Sequence, residues 1–200
     1  MNKTLLKEEV MSFPAVFLER WRMGDYSLLT SANIPSYIKQ IIFQKAKVRP
    51  GRRFFGEAFV AVSFSSKIKD GFYCSYKWMT AEKWITEKGL KPEFEKPFYE
   101  GLHKYIGTEN LKKIQTRSNK YRESHNGNRP VASDLILIGN NGRLMFLEIK
   151  LPGDTIRPNQ IPGLAILKSF EPLNADVRII SLYPEGKKRP EAKEYQVQMQ

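Results

Sequence analysis

The sequence predicts a mixed α/β fold, a central sheet with helices packed on both faces, preceded by an N-terminal α+β extension. Two observations lead there. From residue 131 to residue 183, short apolar segments bounded by Asn, Gly and Pro flank one segment of helical spacing, the pattern of buried strands joined through a helix. Ahead of them the patterning differs, and Gly89 and Pro92 interrupt the chain between the two regions. The reading is therefore an extension over residues 1–90 and a core over residues 91–200.

In the extension, Tyr37, Ile38, Ile41 and Ile42 form one stripe of a helix over Pro35 to Lys45. A basic, turn-rich stretch follows, with Lys45, Lys47, Arg49, Arg52 and Arg53 around Pro50 and Gly51. Phe54 to Phe64 and Gly71 to Met79 are rich in aromatic and β-branched residues and read as the two strands of a hairpin. Thr80 caps a short helix, Ala81 to Lys88, that Gly89 ends. The aromatic content of this region predicts burial against the core or against a second copy in a homodimer.

The core opens with a helix over Glu95 to Ile106, stopped by Gly107. Leu111 to Arg122 reads as a polar, basic strand, and His125 to Pro130 as a turn. Val131 to Ile138 and Leu144 to Leu151 are buried strands joined through Asn140-Asn141-Gly142. A loop with Pro152, Gly153 and Pro158 leads to a helix over Gly163 to Phe170, and Val177 to Tyr183 is a last strand.

Lys and Arg number 33 against 21 Asp and Glu, a formal charge of +12, which favours a polyanionic partner such as nucleic acid. Cys74 is the single cysteine, so neither an internal disulfide nor a thiolate metal cluster forms, and it reads as a core residue. The first thirteen residues carry charges and no long apolar run, so no signal peptide or membrane span is expected and the chain reads as cytoplasmic. His103 and His125 lie in different elements without metal-ligand spacing and read as surface or turn histidines.

Chemistry concentrates in the two buried strands. Asp134 interrupts the first, and Glu148 and Lys150 interrupt the second, fourteen residues on. Strand alternation puts Phe146, Glu148 and Lys150 on one face and Met145, Leu147, Ile149 and Leu151 on the other. The hairpin brings Asp134 beside Glu148. Such charges cost several kcal/mol each to bury without compensation, to order of magnitude, and two carboxylates on adjacent strands suit a hard divalent cation. A lysine in the same cleft can hold a water nucleophile or offset charge on a phosphate. Lys112, Lys113, Arg117, Lys120, Arg122 and Arg129 flank the approach to Asp134 and are candidate phosphate contacts.

Ser133-Asp134 followed by Phe146-Leu-Glu-Ile-Lys150 resembles the signature of the PD-(D/E)XK nuclease superfamily. The continuation from Glu148 through Pro152-Gly-Asp154 to Gln160 is similar to its VRR-NUC branch. The resemblance covers about Glu95 to Tyr183. It implies a restriction-endonuclease-like core, Mg²⁺ or Mn²⁺ dependence, and phosphodiester hydrolysis in DNA. Asp134 and Glu148 would be metal ligands, with the main-chain carbonyl of Ile149. Lys150 would be the catalytic lysine, and Gln160 would help place water or phosphate. Many such nucleases carry a further glutamate before the sheet; Glu95 is preferred from its place on the helix stripe, with Glu100 and Glu57 as alternatives. Ser133 replaces the usual proline, and Pro162-Gly163 interrupts the expected helix, so that helix is read as starting later, with Gln160 in the preceding loop. An RNA-cleaving enzyme and a catalytically silent nucleic-acid-binding module of the same fold are the alternative readings.

Overall fold

The computed structural model describes residues 2–30, 32–74, 78–80 and 94–199. They build one six-stranded mixed sheet with helices on both faces. The strands are β1 (Asn2–Phe13), β2 (Ile68–Tyr73), β3 (Leu135–Gly139), β4 (Leu144–Lys150), β5 (Asp176–Pro184) and β6 (Glu194–Met199), in the order β2-β3-β4-β5-β1-β6. β2, β3 and β4 are antiparallel neighbours, β4, β5 and β1 run parallel, and β6 returns antiparallel to β1.

The two faces bury separate cores. Leu135, Leu137, Met145, Leu147, Ile149, Ile180 and Leu182 turn to the face covered by α1 (Ala15–Arg22), α2 (Ser27–Thr30), α3 (Ser36–Val48) and α4 (Phe55–Ser63). Ile136, Ile138, Leu144, Phe146, Val177 and Ile179 turn to α5 (Glu95–Ile106), α6 (Thr108–Ser124) and α7 (Gln160–Ser169). The alternation expected along β4 is the alternation found.

β1 was not read from the sequence, and its position explains why. Lys3, Lys7, Glu8 and Glu9 interrupt its apolar pattern. In the fold β1 lies between β5 and β6, where Glu8 accepts from the Tyr195 hydroxyl at 2.7 Å, Glu9 meets Arg178 at 2.8 Å and Lys7 meets Glu194 at 2.9 Å. The charges are answered by strands nearly the whole chain away. The boundary at residue 90 lies outside the described residues. Residues on both sides of it share one sheet, since β1 and β2 pair with strands of the second part.

Two segments expected as strands are helices. The segment from Phe54 to Phe64 holds α4 (Phe55–Ser63), which is apolar nearly all round because it is buried between the sheet and its neighbouring helices, so it lacks the polar face that marks a helix in sequence. β2 therefore has β3 as its partner in place of a hairpin arm, and it ends at Tyr73. Leu111 to Arg122 belongs to α6, where Leu111, Ile114 and Ser118 recur at helical spacing on the buried side. The helix expected over 81–88 falls outside the described residues. β3 begins only at Leu135, leaving Asp134 just before it, and β6 is an additional strand.

α7 begins at Gln160, three residues before the expected start. Pro162 sits in its first turn, where a missing N–H costs nothing. Gly163 is required by a close approach: a Cβ there would stand 1.8 Å from the Val131 carbonyl oxygen. That approach carries the segment leading to Asp134 across α7, and Val131 N–H donates to the Asn159 carbonyl at 2.9 Å.

Candidate active site

At the end of the sheet where β3 starts and β4 finishes, an open cleft of about 930 Å³ is lined by Asp134, Glu148, Ile149, Lys150 and Gln160. The antiparallel register of β3 and β4 pairs Leu135 with Leu147, so the chain just ahead of β3 passes Glu148. Cys74 N–H donates to the Asp134 carbonyl at 2.8 Å and Ile149 N–H donates to Asp134 Oδ2 at 2.8 Å, which fixes both the backbone and the carboxyl of Asp134.

Glu148 is fully buried. Its Oε1 accepts from Lys150 Nζ at 2.7 Å and from Gln160 Nε2. Gln160 Oε1 in turn accepts from Lys150 Nζ at 3.0 Å and from the Arg157 N–H at 2.8 Å. Lysine, glutamine and glutamate thus close a ring of contacts, which the first residue of α7 completes. Glu148 Oε2 is buried with no hydrogen-bond partner. A buried lone carboxylate oxygen is costly unless a cation or a proton joins it.

The electrostatics agree. Burial, and then the neighbouring charge of Asp134, push the Glu148 carboxyl well above the usual carboxylate range against the pull of Lys150. Burial also raises Asp134, opposed by its hydrogen bond from Ile149 and the charge of Lys150. The charge of Asp134 bears on Glu148, so the pair resists carrying two negative charges at once.

Beside Asp154 from the loop after β4, the cleft holds a further carboxyl, Glu57, from α4 on the opposite face of the sheet. Gly56 allows it: a Cβ at Gly56 would stand 2.8 Å from Ile149 Cγ2, so the start of α4 rests directly on the end of β4. Burial and the charge of Asp134 push Glu57 up to about 8, with Lys45 opposing. Glu95, preferred from the sequence, does not line this cleft. It opens α5 on the other core face and adds negative charge near the partly buried Tyr37 phenol. Glu100 is exposed beside Lys96 at 3.8 Å. The stripe that favours Glu95 in the sequence is the one α5 turns to its own core, whereas Glu57 enters the cleft from α4. Among the described residues, no group of three or more His, Cys, Asp or Glu side chains could hold a metal ion. The close set is the Asp134–Glu148 pair, and Glu57 contributes charge from the wall.

None of Lys112, Lys113, Arg117, Lys120, Arg122 and Arg129 lines the cleft. Five of them lie on α6, where Lys112 pairs with Glu109 at 3.1 Å and Arg117 stacks over Phe170 at 4.9 Å. Besides Lys150, the cleft's own cations are Arg49, Arg52 and Arg53, from the loop before α4, and Arg157. Arg157 went unread in the sequence, and its place three residues before Gln160 gives it no motif of its own. Arg52 bridges to the loop after β4, donating to the Pro152 carbonyl and to Asp154 Oδ1, both at 2.7 Å. Asp154 Oδ2 accepts from Leu151 N–H at 3.1 Å, so Asp154 shapes the loop between Lys150 and Gln160.

Phe54 and Tyr73 also line the cleft. Phe54 has φ 64°, a left-handed backbone that costs a residue other than glycine about 1–2 kcal/mol. Trp21 Nε1 donates to the Arg53 carbonyl at 3.0 Å and anchors this turn. His103 meets the Thr108 hydroxyl and His125 stacks on Tyr121, both away from the cleft. Cys74 is buried, its thiol pushed up by burial and met by Trp78 Nε1 at 3.2 Å.

No helix among the described residues is long and apolar enough to cross a membrane. No family model matches the chain, and no curated protein matches it. Among solved structures, the crystal structure of paFAN1 bound to 2-nt 5′-flap DNA with a gap is similar at 14% sequence identity and a TM-score of 0.36. The match covers 93% of this chain and 33% of that one, so this chain spans about a third of that protein's length. A likeness of that size does not define a shared function.

Proposed function

We propose that the protein is a metal-dependent nuclease that hydrolyses phosphodiester bonds in DNA, with Asp134, Glu148 and Lys150 at its reacting centre. The observation that carries this reading is the buried, unpartnered Glu148 Oε2, set beside Asp134 at the mouth of a basic cleft. The donor set fits a hard divalent cation: two carboxylates and the Ile149 carbonyl supply oxygen, and the open side leaves room for the waters that Mg²⁺ keeps. Bound there, Mg²⁺ or Mn²⁺ supplies a Lewis acid for the phosphate and lowers the pKa of a coordinated water.

The protein's own groups do the rest. Lys150, held by Glu148 and Gln160, keeps an ammonium at the carboxylate pair, where it offsets charge developing on the phosphate. Gln160 holds Lys150 and Glu148 in register through its two ends. Glu57 lies near enough to Asp134 to feel its charge and serves as a proton acceptor or outer ligand. Arg49, Arg53 and Arg157 hold the backbone phosphates on either side.

The test is incubation of the purified chain with linear, circular, single-stranded and branched DNAs and with RNA, in Mg²⁺, Mn²⁺ or EDTA. Cleavage of DNA that requires the cation is expected. Binding without cleavage under every cation would sink the enzymatic reading, and preferential cleavage of RNA would correct its substrate.

A further expectation concerns the cations. Arg157→Ala and Arg53→Ala should each lower the dependence of log affinity on log salt by about one unit, whatever the DNA sequence. Arg117→Ala, on the outer side of α6, should change it less. A salt titration in which Arg117 matters and Arg157 does not would move the phosphate path from the cleft to α6.

A further inference from the structure

The cleft that holds the carboxylates also presents two half-buried aromatic rings, Phe54 and Tyr73. Their centroids lie 6.3 Å apart with planes inclined at 67°. Lys45, itself buried, lies over both rings, its Nζ 4.8 Å from the Tyr73 centroid and 5.5 Å from that of Phe54. Phe54 is one of three non-glycine residues with positive φ among the described residues, and the one of them that is both aromatic and in the cleft. Its sequence neighbour Arg53, with Arg49, lines the same wall.

A ring needed only for packing gains nothing from a left-handed backbone at the rim of an open cleft. Strain of this kind persists where the surrounding structure holds a side chain for use. Here the Trp21 bond to Arg53 does the holding. A ring between arginines suits a flat, uncharged group whose neighbours carry negative charge. A nucleobase flanked by phosphates is that group, and stacking on an aromatic side chain accepts any base because each has a π face. A base inside a continuous duplex is already stacked on both sides and offers no face to a lateral ring.

Resting on the nucleic-acid reading above, we propose that Phe54, with Tyr73, forms a stacking subsite for an unpaired nucleobase. The preferred substrate is then DNA with a single-stranded element at the cleft, the duplex part being held by its phosphates alone.

The probe is a DNA duplex with a single-stranded extension that carries 2-aminopurine at the junction, compared with a blunt duplex of the same sequence. Both are titrated in EDTA with the whole chain and with Phe54→Gly and Phe54→Tyr. Glycine suits the φ of this position, so Phe54→Gly removes the ring while leaving the turn unstrained, and a thermal melt verifies its fold. The parent and Phe54→Tyr should quench 2-aminopurine fluorescence and bind the extended duplex more tightly than the blunt one. Phe54→Gly should lose the quenching and bind the extended duplex about tenfold more weakly, with blunt-duplex affinity unchanged. Phe54→Gly that quenches and binds like the parent overturns the subsite, and so does an equal loss on both DNAs, which would make the ring a mere wall. Failure of the parent to bind any nucleic acid would remove the nuclease reading together with the subsite.

Discussion

Glu148→Gln is expected to abolish cleavage, a loss on the order of a thousandfold or more, while raising the melting temperature of the metal-free protein at pH 8. Both effects have one cause. Glu148 is fully buried, and only one of its two carboxylate oxygens is satisfied, by Lys150 and Gln160. Glutamine keeps an oxygen for those two donors and replaces the lone Oε2 by an NH₂ that can donate to Asp134. It removes a buried charge repelled by Asp134, and with it a ligand that a cation needs. Asp134 and Glu148 have one largely buried cation, Lys150, between them, so removing the excess charge should add about 1–2 kcal/mol, or a few degrees in a chain of this size.

Lys150→Ala should differ in stability though not in activity. It leaves Glu148 buried without its cation, and losing one partner of a buried pair costs about 3 kcal/mol. Thermal melts of the two variants, alongside a cleavage assay, separate the possibilities. A Glu148→Gln protein that melts below the parent would mean that the carboxylate stabilises the fold. One that still cuts would place the chemistry elsewhere.

The second large effect is a dependence of stability on pH that a divalent cation reverses. Glu57, Asp134 and Glu148 all have folded pKa values raised above their ordinary ones, Glu57 to about 8. A carboxyl with a raised folded pKa keeps in the fold a proton that the unfolded chain has released. Its contribution is therefore most favourable at low pH and is lost as pH climbs from the unfolded value through the folded one. For Glu57 that window runs from about 4.5 to about 8. These sites should make the metal-free protein less stable at pH 8.5 than at pH 5.5.

Mg²⁺ or Mn²⁺ competes with those protons, so its stabilisation should be small at pH 5.5 and large at pH 8.5. At a cation concentration a hundredfold above its dissociation constant, it amounts to about 2.7 kcal/mol. Melting curves across this range, with and without cation, provide the check. A cation effect equal at both ends, or absent in the parent and unchanged in Glu148→Gln, would show that the carboxylates are not the site.

How much of this was written in the sequence can be judged residue by residue. The strand pair carrying Asp134, Glu148 and Lys150 was legible because buried charges stand out against Leu, Ile and Phe, and because strand alternation assigns faces with a period of two. α5 was legible for the same kind of reason: its stripe and its terminal Gly107 are local signals. α4 and β1 misled in opposite directions. α4 is enclosed by sheet and helices, so its apolar surface has no solvent side and no helical period to read. β1 carries charges that meet Arg178, Glu194, Tyr195 and the Lys193 main-chain N–H, partners that no local pattern can anticipate.

The placing of two carboxyls and a lysine at one end of a strand pair was thus legible in local sequence, and their surroundings were decided by tertiary structure. Gln160 reaches Glu148 because α7 starts three residues earlier than Pro162-Gly163 suggests, with Gly163 giving way to the Val131 carbonyl. Glu57 reaches the cleft because Gly56 lets α4 rest on β4 from the far face of the sheet. The arginine wall comes from a loop about a hundred residues before Asp154, to which Arg52 ties it. Each depends on the close approach of elements distant in sequence, a property of packed surfaces rather than of any stretch of chain.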